Sequence, residues 1–158
     1  MAESRVRRHF ARRCHALRLS ARSTGALTPY LAIGVGGALG ANARYALGDW
    51  VASHWPTHFP VGTLLINVSG SCLLGVYLTL VTERFTARPA IRLAVATGFL
   101  GAYTTFSTFS VEALHLIESG DAGAALSYAI ASVVLSIVAA GVGMLVARWL
   151  LSRWTGRS

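Results

Sequence analysis

Four apolar stretches constrain this chain more than any other feature. They run Pro29–Leu47, Val61–Thr82, Ile91–Ile117 and Ala122–Ala147. About 20 helical residues cross roughly 30 Å of hydrocarbon at ~1.5 Å rise per residue. The second and fourth stretches contain no Asp, Glu, Lys, Arg or His. The four consume nearly everything beyond an N-terminal tail, which leaves no room for a soluble catalytic domain. Only 13% of residues are charged, about half the share of a typical soluble domain. The expected fold is an all-α membrane protein with four transmembrane helices. The expected organisation is a basic, disordered tail over 1–28, a four-helix transmembrane domain over 29–151 and a short C-terminal tail over 152–158.

The net charge of +8 invites a nucleic-acid reading, but its distribution argues against one. All 14 basic residues are arginines, and seven lie in the first 22 positions. Arg84, Arg88 and Arg92 fill the second loop, and Arg148, Arg153 and Arg157 follow the fourth stretch. The first and third loops have no arginine; they carry Asp49, His54 and His58, then Glu118 and Asp121. That is a positive-inside pattern with both termini cytoplasmic. The tryptophans agree, since Trp50 and Trp55 follow the first span and Trp149 and Trp154 the fourth, as in an interfacial aromatic belt. The tail lacks the apolar core of a secretory signal and suits an arm drawn to anionic headgroups. Cys14 in the tail and Cys72 in a span do not suggest a disulfide or a metal site.

The third stretch contains the element that bears on function. Gly101-Ala102-Tyr103-Thr104-Thr105 is a poor helix interior. Irregular backbone at membrane depth must be buried in protein or line a cavity, and broken helices there build ion sites from freed carbonyls. Phe106 and Phe109 follow at a spacing that shares one helix face, with Ser107, Thr108 and Ser110 among them. The segment reads as a permeation element.

The other spans add polar groups. Gly36, Gly40, Arg44 and Gly48 form a stripe at i+4 spacing on the first span, where Gly36-x-x-x-Gly40 admits a close helix neighbour. Arg44 is then either a packing clamp or a fixed positive charge near a pore mouth. Asn67 in the second span is either interhelical glue or a pore donor with two N–H groups. Glu112 is either a partner for a nearby hydroxyl or a functional carboxylate. Tyr128, Ser132 and Ser136 align three hydroxyls on the fourth span. Amide, hydroxyl and guanidinium donors, with the positive ring edge of phenylalanine, suit a small anion. A cation pore would want rings of carboxylates or carbonyls.

These residues carry a resemblance. Gly37-Ala38-Leu39-Gly40-Ala41-Asn42-Ala43-Arg44-Tyr45, Gly62-Thr63-Leu64-Leu65-Ile66-Asn67-Val68-Ser69-Gly70 and Gly98-Phe99-Leu100-Gly101-Ala102-Tyr103-Thr104-Thr105-Phe106-Ser107-Thr108-Phe109 occur in this order in a four-span chain. Over roughly Tyr30 to Trp149 the chain resembles the Fluc/CrcB fluoride channels. The resemblance implies an antiparallel, dual-topology-type dimer in the bacterial inner membrane, with two narrow pores and passive, selective fluoride export that confers fluoride resistance. It implies a structural Na+ that is not transported, held by backbone carbonyls of Gly101 and Thr104 at the break of the third helix. It implies that Phe106 and Phe109 face the anion with their ring edges and that Asn67 is a pore donor. Ser132 and Ser136 would belong to a polar track with Tyr128 near it, and Arg44 would lie near a vestibule. Glu112 matches a family position of less defined role.

The chain departs from the family pattern at Ala102, where many relatives have a second glycine, and in its charge bias. Arg44 aside, thirteen arginines fall on one side and none on the other; without the tail the bias is six against none. Homodimers of this kind must insert both ways, so the bias points to pairing with an oppositely oriented paralogue. Self-pairing remains the alternative. A small four-helix multidrug exporter would need a carboxylate in the first span, which has Arg44 instead. An intramembrane serine hydrolase would need a base beside Ser69 or Ser71, and the only histidine at membrane depth is His115. A structural membrane subunit without transport is the remaining class.

Overall fold

The computed structural model of the protein describes the backbone of residues 2–84 and 87–155, with side chains over 27–84 and 87–154. All regular structure among these residues is helical. Helix α1 (Ala2–His54) is followed by α2 (Val61–Glu83). A composite third passage consists of α3 (Pro89–Arg92), a π-helical segment Leu93–Leu100, α4 (Gly101–Tyr103) and α5 (Phe106–Glu118). Helix α6 (Ala122–Thr155) completes the chain.

The backbone of residues 2–28 continues α1, and the helix runs through Pro29. Ala, Arg and Leu dominate this segment and are among the stronger helix formers. At the other end α6 continues to Thr155. Residues 156–158 lie outside the described residues.

Local chemistry sets the other ends. After His54, Pro56 restricts Trp55 away from helical geometry, and Pro60 precedes α2. The turn between α5 and α6 needs a glycine, because Gly120 has φ +85°. There the Gly120 amide donates to the Ile117 carbonyl at 3.0 Å and the Asp121 amide to Leu116 at 3.0 Å, the paired bonds of a Schellman ending. Asp121 then caps α6, its Oδ1 accepting from the Ala124 amide at 2.9 Å.

Two close crossings assemble the passages. In the first, α1 meets the π-helical segment: Gly36 lies against the Ala94 carbonyl and Gly40 against that of Phe99. A Cβ on either glycine would collide with backbone, as the glycine stripe predicts. In the second, α2 meets α6, with Gly75 against the Ala140 carbonyl and Gly143 against that of Cys72. Small residues permit such approach where dispersion, not water exclusion, drives helix association.

Only a small interior forms. Tyr128, Leu116 and Ala125 are buried, with Phe59, Leu64 and Phe109 packed around them. By contrast Leu126, Ile130, Ile137 and Leu145 of α6 are exposed. A helix apolar all round with one face packed suits a lipid exterior. Helices α2 and α6 are long and apolar enough to cross a membrane without interruption. Asn42 and Arg44 dilute the apolar character of α1, and the third passage is divided into shorter pieces.

Candidate functional site

The helical path stops at Tyr103 and resumes at Phe106. Thr104 (φ −80°, ψ 156°) and Thr105 (φ −150°, ψ 125°) are extended, a conformation that suits β-branched residues. Asn67 of α2 spans the interruption. Its Oδ1 accepts from the Thr105 amide at 2.8 Å, and its Nδ2 donates to the Thr105 carbonyl at 3.0 Å. Thr105 itself caps α5, with Oγ1 accepting from the Thr108 amide at 3.2 Å. In a continuous helix the amides of Thr105 and Thr108 would bond the carbonyls of Gly101 and Thr104. Here both amides turn to side-chain oxygens, which releases those two carbonyls from their helical donors. Neutral carbonyl oxygens are hard ligands that suit a small alkali cation, so the residues present fit a Na+ held by main chain.

A groove of about 360 Å³ opens beside the interruption, bordered by Asn67, Thr104, Phe106, Phe109, Ser132 and Ser136. Residues from α2, the third passage and α6 thus meet at one groove. Asn67 spends its carbonyl and one N–H on Thr105 and keeps a second N–H. Ser132 is buried, and its Oγ has no hydrogen-bond partner among the described residues. Buried hydroxyls normally find partners, and this one lies at the border of the groove. Phe106 is 77% exposed and leans on Phe109 with ring centroids 5.4 Å apart. Phe109 continues to Tyr128 at 5.1 Å.

The remaining sequence candidates separate. Tyr128 does not open into this groove: its hydroxyl donates to Glu112 Oε2 at 2.7 Å. Thr63 donates to Glu112 Oε1 at 2.8 Å, so the carboxylate is held from α2 and α6 at once. Thr63 was missed, although it stands one helical turn before Asn67 on the same face, which is a readable signal. Arg44 borders a second groove of about 370 Å³ with Tyr45, Asp49, Thr105 and Thr108. Thr105 therefore separates an aromatic, hydroxyl-lined groove from a guanidinium-lined one. Ser107 Oγ lies 3.3 Å and Thr108 Oγ1 3.1 Å from Thr105 Oγ1, in the cap cluster. Ser110 donates back to the Phe106 carbonyl at 2.9 Å, a local bond common for hydroxyls in helices.

Comparison with known proteins adds a second line. Residues 31–144 match the family described as CrcB-like protein, Camphor Resistance (CrcB). A protein of Acidobacterium capsulatum named Fluoride-specific ion channel FluC is 48% identical over 117 residues, covering 74% of this chain and 94% of the relative. One of the same name from Chloroflexus aurantiacus strain J-10-fl is 43% identical over 119 residues, covering 75% and 94%. Fluoride-specific ion channel FluC 1 of Moorella thermoacetica is 43% identical over 123 residues, covering 78% and 88%.

Proposed function

This chain belongs to the CrcB family, and on that premise we propose that it exports fluoride passively through the groove beside the third-passage interruption. It is a fluoride-specific membrane channel and not an enzyme. The observation that carries the route is the meeting of the Asn67 amide, the Phe106 and Phe109 rings and the unpartnered Ser132 hydroxyl on one groove. A dehydrated fluoride needs donors on several sides. Here an N–H, hydroxyls and positive ring edges supply them.

The setting supplies the direction. HF crosses bilayers as a neutral acid, ionises in the near-neutral cytoplasm and is held there as fluoride. An open anion path in the bacterial inner membrane lets the potential drive it out, at about 2.3 kcal/mol per charge per 100 mV. A structural Na+ would be held by the Gly101 and Thr104 carbonyls. It would supply a fixed positive charge at the interruption of the third passage. The exposure of Phe106 in the single chain supports a partner subunit at this face. The arginine bias favours an oppositely oriented paralogue as that subunit.

Fluoride efflux from liposomes, triggered by a potassium ionophore and read with a fluoride electrode, tests both points. Fluoride release with chloride retained is expected, and equal fluxes of the two ions would sink selective conduction. The expected release needs a co-reconstituted paralogue of opposite bias; robust release from this chain alone makes it a homodimer. Complete replacement of Na+ by a large organic cation should lower the flux. Undiminished flux after verified replacement would remove the cation from the proposal.

A further inference from the structure

One turn of α2 holds the interruption at more than Asn67. The Ser69 and Tyr103 hydroxyls lie 2.9 Å apart. Ser69 Oγ also donates to the Leu65 carbonyl at 2.7 Å, which makes the Tyr103 hydroxyl the donor between the two. Tyr103 is buried, and its ring stacks on Phe99 with planes 3° apart. Gly70 lets α2 come this near, because a Cβ there would collide with Thr104 Cγ2 and crowd the Tyr103 ring. Asn67 thus fastens Thr105 after the break, and Ser69 fastens Tyr103, the last helical residue before it. Between them Thr104 is tied to the Leu100 carbonyl by its amide at 3.1 Å and its Oγ1 at 3.0 Å. The conduction scheme gives Ser69 and Tyr103 no part.

We infer that Tyr103, locked by Ser69, is a positioning residue that holds the Gly101 and Thr104 carbonyls in register for the alkali cation proposed at the interruption. The inference rests on the channel reading above and on its cation. Tyr103 stands between the two carbonyl-bearing residues, so a shift of its backbone moves one relative to the other. Ser69 and Tyr103 line neither the groove beside the break nor the one bordered by Arg44. Their effect therefore runs through the backbone and not through contact with fluoride.

Carbonyl dipoles aimed at one point repel each other until a cation sits there. A site of this kind binds well only if the fold holds the oxygens in place beforehand, which lowers the cost of ordering on binding. A satisfied buried hydrogen bond rigidifies one arrangement. Removal of the Tyr103 hydroxyl leaves the ring on Phe99 and leaves the Asn67 clamp, but frees the near side of the break.

Tyr103→Phe and Ser69→Ala each delete one partner of the bond, and Ser69→Thr keeps the hydroxyl. Na+ is titrated against N-methyl-D-glucamine at constant ionic strength, with whichever subunit supports conduction present. Fluoride efflux from liposomes and thermal unfolding are both read. In the phenylalanine and alanine variants half-saturating Na+ should rise about tenfold in both readouts, as for loss of one buried hydrogen bond. Efflux at saturating Na+ should stay near the wild-type value. The double variant should match either single one, since only one bond is lost, and Ser69→Thr should behave as wild type. An unchanged Na+ titration in both single variants, even with a lower melting temperature, would overturn the inference and make the pair plain packing. A wild-type channel whose efflux and melting both ignore Na+ would overturn the cation and this inference, and leave the channel reading intact. No fluoride efflux at any Na+ level would overturn the channel reading and this inference with it.

Discussion

Leucine in place of Asn67 is expected to abolish fluoride flux and to destabilise the protein. Leucine fills similar space but deletes the carbonyl and amide that hold Thr105 at 2.8 and 3.0 Å. The Thr105 N–H and C=O would then be unpaired in a part-buried, apolar setting, at about 1–3 kcal/mol each. Asn67→Asp separates the two roles of this side chain. It keeps an acceptor for the Thr105 amide but loses the donors and adds a negative charge beside the groove. At ~4 Å and an effective dielectric near ~20, repulsion of a passing anion is of order 4 kcal/mol. The aspartate variant should therefore stay folded and lose flux by roughly a hundredfold or more. Liposome efflux and thermal unfolding by size-exclusion fluorescence read the two effects separately. Wild-type flux and melting in the leucine variant would reduce Asn67 to an incidental contact.

Removal of either aromatic ring should have an effect of similar size. Phe106→Ile and Phe109→Ile keep apolar bulk and delete the ring edge that can meet an anion. Throughput should fall by about two orders of magnitude in each, as expected if a ring supplies roughly 2–3 kcal/mol to the ion in passage. The stability effects should differ. Phe106 is 77% exposed in the single chain, so its loss should barely move folding. Phe109 packs on Tyr128 in the small core, and its replacement should lower the melting temperature. Phe109→Met, which refills space flexibly, should recover stability without recovering flux. If both isoleucine variants conduct as the wild type does, the rings are packing alone.

The two experiments probe features that were unequally visible in the sequence. The phenylalanine pair and the glycine stripe are local patterns, so residue spacing alone placed them on their faces. The fate of Asn67 was left open between glue and pore lining, and the fold makes it both a clamp on Thr105 and a lining group of the groove. The aligned hydroxyls of α6 looked equivalent at i+4 spacing, but they are not. Tyr128 is spent on Glu112, whereas Ser132 keeps an unpartnered hydroxyl. Thr63 drew no attention because its role depends on a carboxylate 49 positions away.

The sequence by itself determined the all-helical character, the two long apolar helices and the close crossings of Gly36 and Gly40. These follow from hydropathy, charge and side-chain size, which act residue by residue or through helical period. Only the tertiary structure decided which amide captures the Thr105 backbone, which two hydroxyls hold Glu112, and which hydroxyls of α6 border the groove. A hydrogen bond exists only when donor and acceptor come within about 3 Å in good alignment. Helices distant in sequence reach that condition only once their crossings are fixed.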